Sequence, residues 1–431
     1  MRSLRDILMP RVSGSAIPSA ILWTSLSGSV YAAASFVLLM LASNWTGAYW
    51  AGALGLGLAM SQQLYTLGNF SMGGYQASDA AERSTFPQYV ASRVITVAAM
   101  FPVAAAWIWA KRIDGVTAAI FLVLLAQRAS EAFCSVLTGR YQQKGRLDVG
   151  GRIEFAKNLL SLAAGVATLW FTRGIIASVS ASAIVHIALF FALDRAVLPD
   201  FGGLRSASLA SVRVWRLLAD CAPLALTTFL LLYIQNGPRF AIADAHSNEA
   251  LAYFNALFMV SFAISTFASF ILNPHVSVLG EARERGDGRR FFGIVAGQFA
   301  AILALGAVAL ACALTFAPRL LSILFGLGLD GYGRELGLLV AGGTLLALYQ
   351  LAQTVLIVLR CQGWTLAGVL PATLFTFVFA ARAIGAEGAD PVHASSLFFV
   401  EAMAILFLSF LALAAVAVAK RWNTPDAKEA R

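Results

Sequence analysis

The stretch "FFGIVAGQFAAILALGAVALACALTF", Phe291 to Phe316, contains no Asp, Glu, Lys or Arg. About 20 helical residues cross about 30 Å of hydrocarbon, so this run alone is long enough for one crossing. Working outward from it, the chain reads as about twelve such segments. They lie at 17–41, 48–70, 92–110, 115–139, 153–172, 174–194, 219–241, 250–272, 291–316, 336–359, 364–384 and 396–419. Lipid offers no partner to backbone polar groups, so only helices and closed barrels span it. The short period-two segments of a barrel are missing here. The expectation is an all-α polytopic membrane protein with about twelve transmembrane helices. Gly52, Gly55 and Gly57 inside the second run fit close helix packing in lipid.

Composition agrees. Of 431 residues, 59% are hydrophobic and 12% charged, with mean hydropathy +0.76. A soluble domain is nearer half apolar and a quarter charged. Twelve crossings with short loops leave little chain for a separate soluble domain. The net charge of +9 does not point to nucleic acid, because the basic residues lie in short loops and no binding motif accompanies them. The same charge also fits a basic lumen that attracts an anionic substrate.

Lys and Arg are strongly biased to alternate loops. One side has Arg2, Arg5, Arg11, Arg83, Arg93, Arg140, Lys144, Arg146, Arg152, Arg195, Arg205, Arg213 and Arg216. It continues with Arg283, Arg285, Arg289, Arg290, Arg360, Lys420, Arg421, Lys428 and Arg431. The other side has Lys111, Arg112, Arg173, Arg319 and Arg334. The bias places both termini in the cytoplasm and an even number of crossings between them. The first run continues past "YAAAS" to Leu41, longer than a signal-peptide core, and reads as an uncleaved helix. Cys134, Cys221, Cys312 and Cys361 all avoid the outside loops, so no disulfide is expected. Histidine and cysteine show no metal-ligand spacing.

The longest internal loop, 195–218, separates an N-terminal six-helix half (1–194) from a C-terminal half and tail (219–431). Within it "SVRVWRLL" places Val212, Trp215 and Leu218 on one face beside Arg213 and Arg216. This predicts a helix lying on the cytoplasmic membrane surface. The halves correspond weakly. "YQASDAAERSTFPQY" follows the second run and "HVSVLGEARERGDGRRF" follows the eighth. Such repeats are a common transporter plan, with the substrate site between them.

Charges within the runs need reasons, since each costs about 2.5–3.5 kcal/mol at mid-membrane. In "AQRASEAFCSVLTG", Arg128 and Glu131 share a helix face and can pair. Gln127, Ser135 and Thr138 extend that stripe. The arrangement is either a structural ion pair or the lining of a water-filled cavity. In "RIEFAKNLLSLAAG", Glu154, Lys157, Asn158 and Ser161 form a second stripe, unless Lys157 snorkels to the cytoplasmic edge. Arg382 carries the same ambiguity at the outer end of its run. In "YIQNGPRFAIAD", Gln235, Asn236 and Arg239 stand around Gly237-Pro238. Pro238 removes a backbone donor, which predicts a broken or bent helix with Gly237 and Pro238 as a hinge. Arg239 either grips a phosphate with its planar fork or reaches the outer headgroups. No nucleophile-base arrangement and no Walker loop is present. The chain reads as a non-enzyme that requires no cofactor and takes its drive from a gradient or a partner.

"NGPRFAIAD…EALAYFNALFM" resembles the N-x-P-[KR]-[YF]-A-I segment of bacterial polysaccharide-biosynthesis membrane proteins. These are the Wzx-like flippases of the multidrug/oligosaccharidyl-lipid/polysaccharide (MOP) superfamily. "QQLYTLGNFSMGGYQASDAAERSTFPQYVASRVIT", "SEAFCSVLTGRYQQKGRLDVGGR", "LFGLGLDGYGREL" and "TVLIVLRCQG" agree in order along the chain. Where the family shows RKQ, this chain has Arg360-Cys361-Gln362, with less basic charge. The resemblance implies two six-helix lobes around a central cavity. It implies alternating access that carries a polyprenyl-diphosphate-linked oligosaccharide across the bacterial inner membrane for O-antigen, capsule or exopolysaccharide assembly. It implies glycosyltransferases and a polysaccharide polymerase as partners. Pro238 and Arg239 match the family's proline and basic residue; Glu131 and Asp148 match acidic positions. On this reading Arg128, Arg239 and Lys157 offset the diphosphate, while Gln62, Gln63, Gln235 and Asn236 bond sugars. Glu131 and Glu154 serve coupling or ion pairing. The alternatives are an ion-coupled multidrug or small-metabolite antiporter of the same superfamily, and a non-transporting scaffold for glycosyltransferases.

Overall fold

A computed structural model describes residues 8–9, 17–79, 82–202, 209, 211–386, 388 and 390–421. Among them each apolar run is a helix: α1 (Ile17–Thr46), α2 (Ala48–Asn69), α3 (Phe86–Lys111), α4 (Gly115–Gln143), α5 (Leu147–Thr172) and α6 (Ile175–Leu189), then α7 (Val212–Ala245), α8 (Asn248–Leu272), α9 (Gly288–Thr315), α10 (Gly333–Val358), α11 (Thr365–Ile384) and α12 (Pro391–Arg421). Ten helical stretches are long and apolar enough to cross a membrane. The two long helices that fall short are α2 and α5. α2 buries most of its length, and α5 buries a face that carries Lys157 and Asp148. A helix face packed on neighbours does not need a lipid-compatible surface, and α5 keeps apolar Leu159, Leu160, Trp170 and Phe171 on its exposed face. The chain is a multi-pass membrane protein.

The chain forms two compact units, residues 1–229 and 230–431, with the division inside α7. In the first, α1 packs along α5, α2 along α4, and α5 along α6. In the second, α10 packs on α12, α8 and α9, and α11 packs on α12. Each unit places a short helix between its second and third long helices. These are Met72–Ser78 and Val276–Glu284, where the two corresponding sequence stretches lie. Boundaries follow local chemistry. Asp114 accepts from the amides of Val116 and Thr117 at 3.0 Å to start α4, and Asp287 accepts from Arg290 N at 3.0 Å to start α9. Both are N-cap bonds to amides that a helix start leaves open.

Three expectations need correction. First, α6 runs on through a π turn (Phe190–Asp194) to Phe201, and Val212–Leu218 begins α7 instead of forming a surface helix. Val214, Leu217, Leu218 and Cys221 are the buried face there, while Val212 and Trp215 are exposed. Second, α7 is helical without interruption through Gly237-Pro238. Proline removes one ladder bond, and helices in lipid tolerate this when neighbours enclose it; Pro102 in α3 and Pro371 in α11 do the same. A Cβ at Gly237 would collide with the Thr376 side chain, so this glycine permits α7 to approach α11. Third, Arg93 is not a loop charge. It is completely buried on α3 and donates to the Gly68 carbonyl, to Asn69 Oδ1 (3.3 Å) and to Ser135 Oγ (3.0 Å). These groups include the C-terminal end of α2, where open carbonyls and the helix dipole favour a cation.

The basic residues at 2, 5, 11, 205, 428 and 431 lie outside the described residues. In the turn before α3, Lys144 and Arg140 bind Glu82 at 2.7 and 3.0 Å. Hydrogen bonds from Lys144 and then Arg140 hold that carboxyl below its usual range.

Glycine permits a close backbone approach in the second unit. A Cβ at Gly343 of α10 would lie 2.9 Å from Ser261 backbone atoms of α8, whereas Gly297 of α9 has open space around it. Gly343→Ala should destabilise the protein by about 1–3 kcal/mol through overpacking. Gly297→Ala should be neutral or stabilising, because alanine favours helix. Thermal unfolding in detergent compares them; equal melting temperatures would refute this packing assignment.

Candidate functional site

The first unit holds a partly open cavity of about 240 Å³. Its walls come from α1 (Thr24, Ser27, Gly28, Tyr31), α2 (Tyr65), α4 (Glu131, Cys134, Ser135), α5 (Glu154, Lys157, Asn158) and α6 (His186). A smaller space of about 40 Å³ shares Tyr31, Glu131 and Asn158 and is also lined by Gln127 and Arg128. The two polar stripes read from α4 and α5 therefore both line the cavity and are tied together. Thr138 Oγ1 of α4 donates to Glu154 Oε1 of α5 at 2.7 Å.

Charge in this site is almost entirely paired. Arg128 Nη1 lies 2.6 Å from Glu131 Oε2, donates to the Tyr31 hydroxyl, and stands over the Tyr31 ring. Gln127 donates to the other Glu131 oxygen at 3.2 Å, and Tyr31 donates to Gln62 at 3.3 Å. Lys157 does not snorkel. It is 1% exposed, and its ammonium meets Asp194 Oδ2 at 3.1 Å and Cys134 Sγ at 2.7 Å. Tyr141 donates to Asp194 Oδ1 at 3.0 Å. An unpaired buried ammonium would be far more costly than this pair. Glu154 differs from the others. Its described partner is the Thr138 hydroxyl, and it lies in no ion pair among the described residues.

The remaining predicted site residues are dispersed. Gln63 is fully buried and donates to the Phe229 carbonyl of α7 at 2.8 Å. Asp148 is buried at the start of α5 and paired with Arg146 at 2.9 Å. Arg382 is exposed at the end of α11. Asn236 and Arg239 lie in the second unit, where Arg239 Nη1 donates to Asn236 Oδ1 at 2.9 Å. The Arg239 guanidinium carbon sits 4.3 Å from the Phe258 ring centre on α8. Its Nε has no partner, and no carboxylate pairs with it among the described residues. Gln235 is partly buried one turn before Arg239.

Sequence reasoning missed Asp194, Tyr31, Tyr65 and His186. Asp194 looks like an end-of-run charge in "FFALDRA"; the π turn that ends with it brings it to Lys157. Such turns recur at functional sites. His186 is hidden in the most apolar part of α6 and meets Ser130 Oγ at 2.9 Å. Nothing in a single sequence marks a partner on another helix.

No family model and no curated protein matches the sequence. Solved structures do match. A MOP-superfamily transporter from Pyrococcus furiosus, described by the reversed polarity of its binding pocket, aligns over 97% of this chain and 99% of its own. It shares 13% identity at TM-score 0.58. A eukaryotic MATE transporter aligns over 96% and 98%, with 10% identity and TM-score 0.58. A Vibrio cholerae MATE transporter aligns over 97% and 98%, with 13% identity and TM-score 0.55. The fold is MATE-like. At these identities the match speaks for architecture, and the side chains of this chain must carry the chemistry.

If Lys157–Asp194 is a buried pair, Lys157→Met or Asp194→Ala alone should each cost about 3–5 kcal/mol. The double replacement Lys157→Met/Asp194→Leu should recover much of that loss. Melting temperatures of the purified variants provide the check. Single variants as stable as wild type would contradict the pairing.

Proposed function

We propose that this protein is a membrane transporter that moves a polyprenyl-diphosphate-linked oligosaccharide across the bacterial inner membrane by alternating access. Both termini are cytoplasmic, and the product feeds surface-polysaccharide assembly alongside glycosyltransferases and a polymerase. The observation that carries this reading is Arg239. Of the three cations read as diphosphate ligands, Arg128 and Lys157 are already neutralised by Glu131 and Asp194. Arg239 keeps an uncompensated charge on an aromatic face, and its planar fork suits two phosphate oxygens at once. Asn236 holds that fork. Gln62 and Gln235 offer amides to sugar hydroxyls. The order of matching motifs along the chain supports the glycan substrate; the shared fold supports transport.

Glu154 favours a second reading. It leaves the cavity of the first unit, which Tyr31 and Tyr65 also line, with one carboxylate that is hydrogen-bonded but not charge-paired among the described residues. Carboxylate and aromatic faces together suit a cation. Under the first reading this group takes up a coupling cation. Under the second, a multidrug or small-metabolite antiporter, it is the principal substrate contact.

The two readings separate in one experiment. In cells that depend on this chain for surface glycan, Arg239→Gln inserted at normal levels should reduce export about tenfold or more. Arg239→Lys should retain an intermediate rate. Full export by Arg239→Gln, with drug resistance lost in Glu154→Gln, would reject the flippase in favour of the antiporter.

A further inference from the structure

At the end of the first unit that holds the α5–α6 turn, Arg173 lies against a pair of packed indoles. Its guanidinium carbon lies 4.9 Å from the Trp45 ring and 5.0 Å from the Trp170 ring. The two indoles meet edge to face, 5.0 Å apart at 70°. Both contacts are within cation–π range. The two rings lie on the same side of the guanidinium, which leaves N–H donors on its other side open. Arg173 is exposed, and no carboxylate pairs with it among the described residues.

The turn beneath it is fixed. Arg173 takes φ 54°, a left-handed conformation unusual for a side-chain-bearing residue. Its amide donates to the Leu169 carbonyl at 2.9 Å. Thr172 Oγ1 donates to Thr168 O at 2.7 Å and accepts from Gly174 N at 3.2 Å. Strained conformations persist where the surroundings over-determine them, and a ligand fork held this way loses little freedom on binding.

The setting selects the ligand. Trp170 is 53% and Phe171 83% exposed, and the helices are apolar up to the turn, so these rings face lipid at headgroup level. A free anion would gain nothing from Trp170 and Phe171, whereas a lipid would bring acyl chains to them and a phosphate to Arg173. We propose that Arg173, resting on the Trp45–Trp170 pair, is a binding site for the phosphate of a bilayer lipid headgroup. It is independent of Arg239 and of the transported substrate.

Native mass spectrometry of the full chain in detergent tests this, with short-chain phosphatidylglycerol as the probe. Short-chain diacylglycerol and inorganic phosphate serve as controls. Wild type should bind one phosphatidylglycerol saturably. Arg173→Gln should weaken that binding at least about tenfold, as loss of a charge-assisted bidentate contact does; Arg173→Lys should be intermediate and Trp170→Leu measurably weaker than wild type. Equal affinity in wild type and Arg173→Gln would overturn the site. Diacylglycerol binding as tightly as phosphatidylglycerol would reduce it to an apolar belt. Inorganic phosphate binding as tightly would make it a plain anion site and overturn the lipid assignment. If Arg173→Gln does not fold, an unchanged affinity in Trp170→Leu overturns the assignment and a weakened one supports it.

Discussion

A charge inside lipid must be neutralised where it stands, and the first unit is organised around that constraint. With each charge costing about 2.5–3.5 kcal/mol at mid-membrane, three separate arrangements bury cations. Arg128 takes Glu131 one turn away. Lys157 takes Asp194 from another helix, with Tyr141 on the second carboxylate oxygen. Arg93 takes no acid and instead caps the carbonyl end of α2. Each solution fixes helices against each other: α4 to α1, α5 to the π turn after α6, and α3 to α2 and α4. The cavity lies among those pairings.

Among the described residues, Glu154 and Arg239 hold no counter-ion, and the proposed function rests on these two. Glu154 has a hydrogen bond but no counter-ion, and it lines the cavity. Arg239 has an amide and a ring but no counter-ion, in the second unit. The opposite signs matter. A leftover carboxylate suits a cation that drives a cycle, and a leftover guanidinium suits an anionic cargo. The proposed cation-coupled movement of a lipid diphosphate would use both.

Much of the fold was legible because lipid imposes a one-dimensional rule. Length and apolarity marked all twelve helices. The Arg128–Glu131 pair was legible too, because both residues lie on one helix three positions apart. What failed was everything set by contact between helices. Arg93 looked like a loop charge because it lies near a basic loop, yet it turns inward to the end of α2. Gly237-Pro238 looked like a break, yet the glycine is required by Thr376 and the helix continues. Lys157 could be assigned as snorkelling or paired only once Asp194 was placed.

The central claim is that the cargo is a lipid-linked glycan. Its most direct test is deletion of the gene followed by analysis of lipid-linked oligosaccharide intermediates and the membrane face that exposes them. The account predicts intermediates accumulating on the cytoplasmic face, with surface glycan lost. Unchanged surface glycan together with altered drug sensitivity would contradict it.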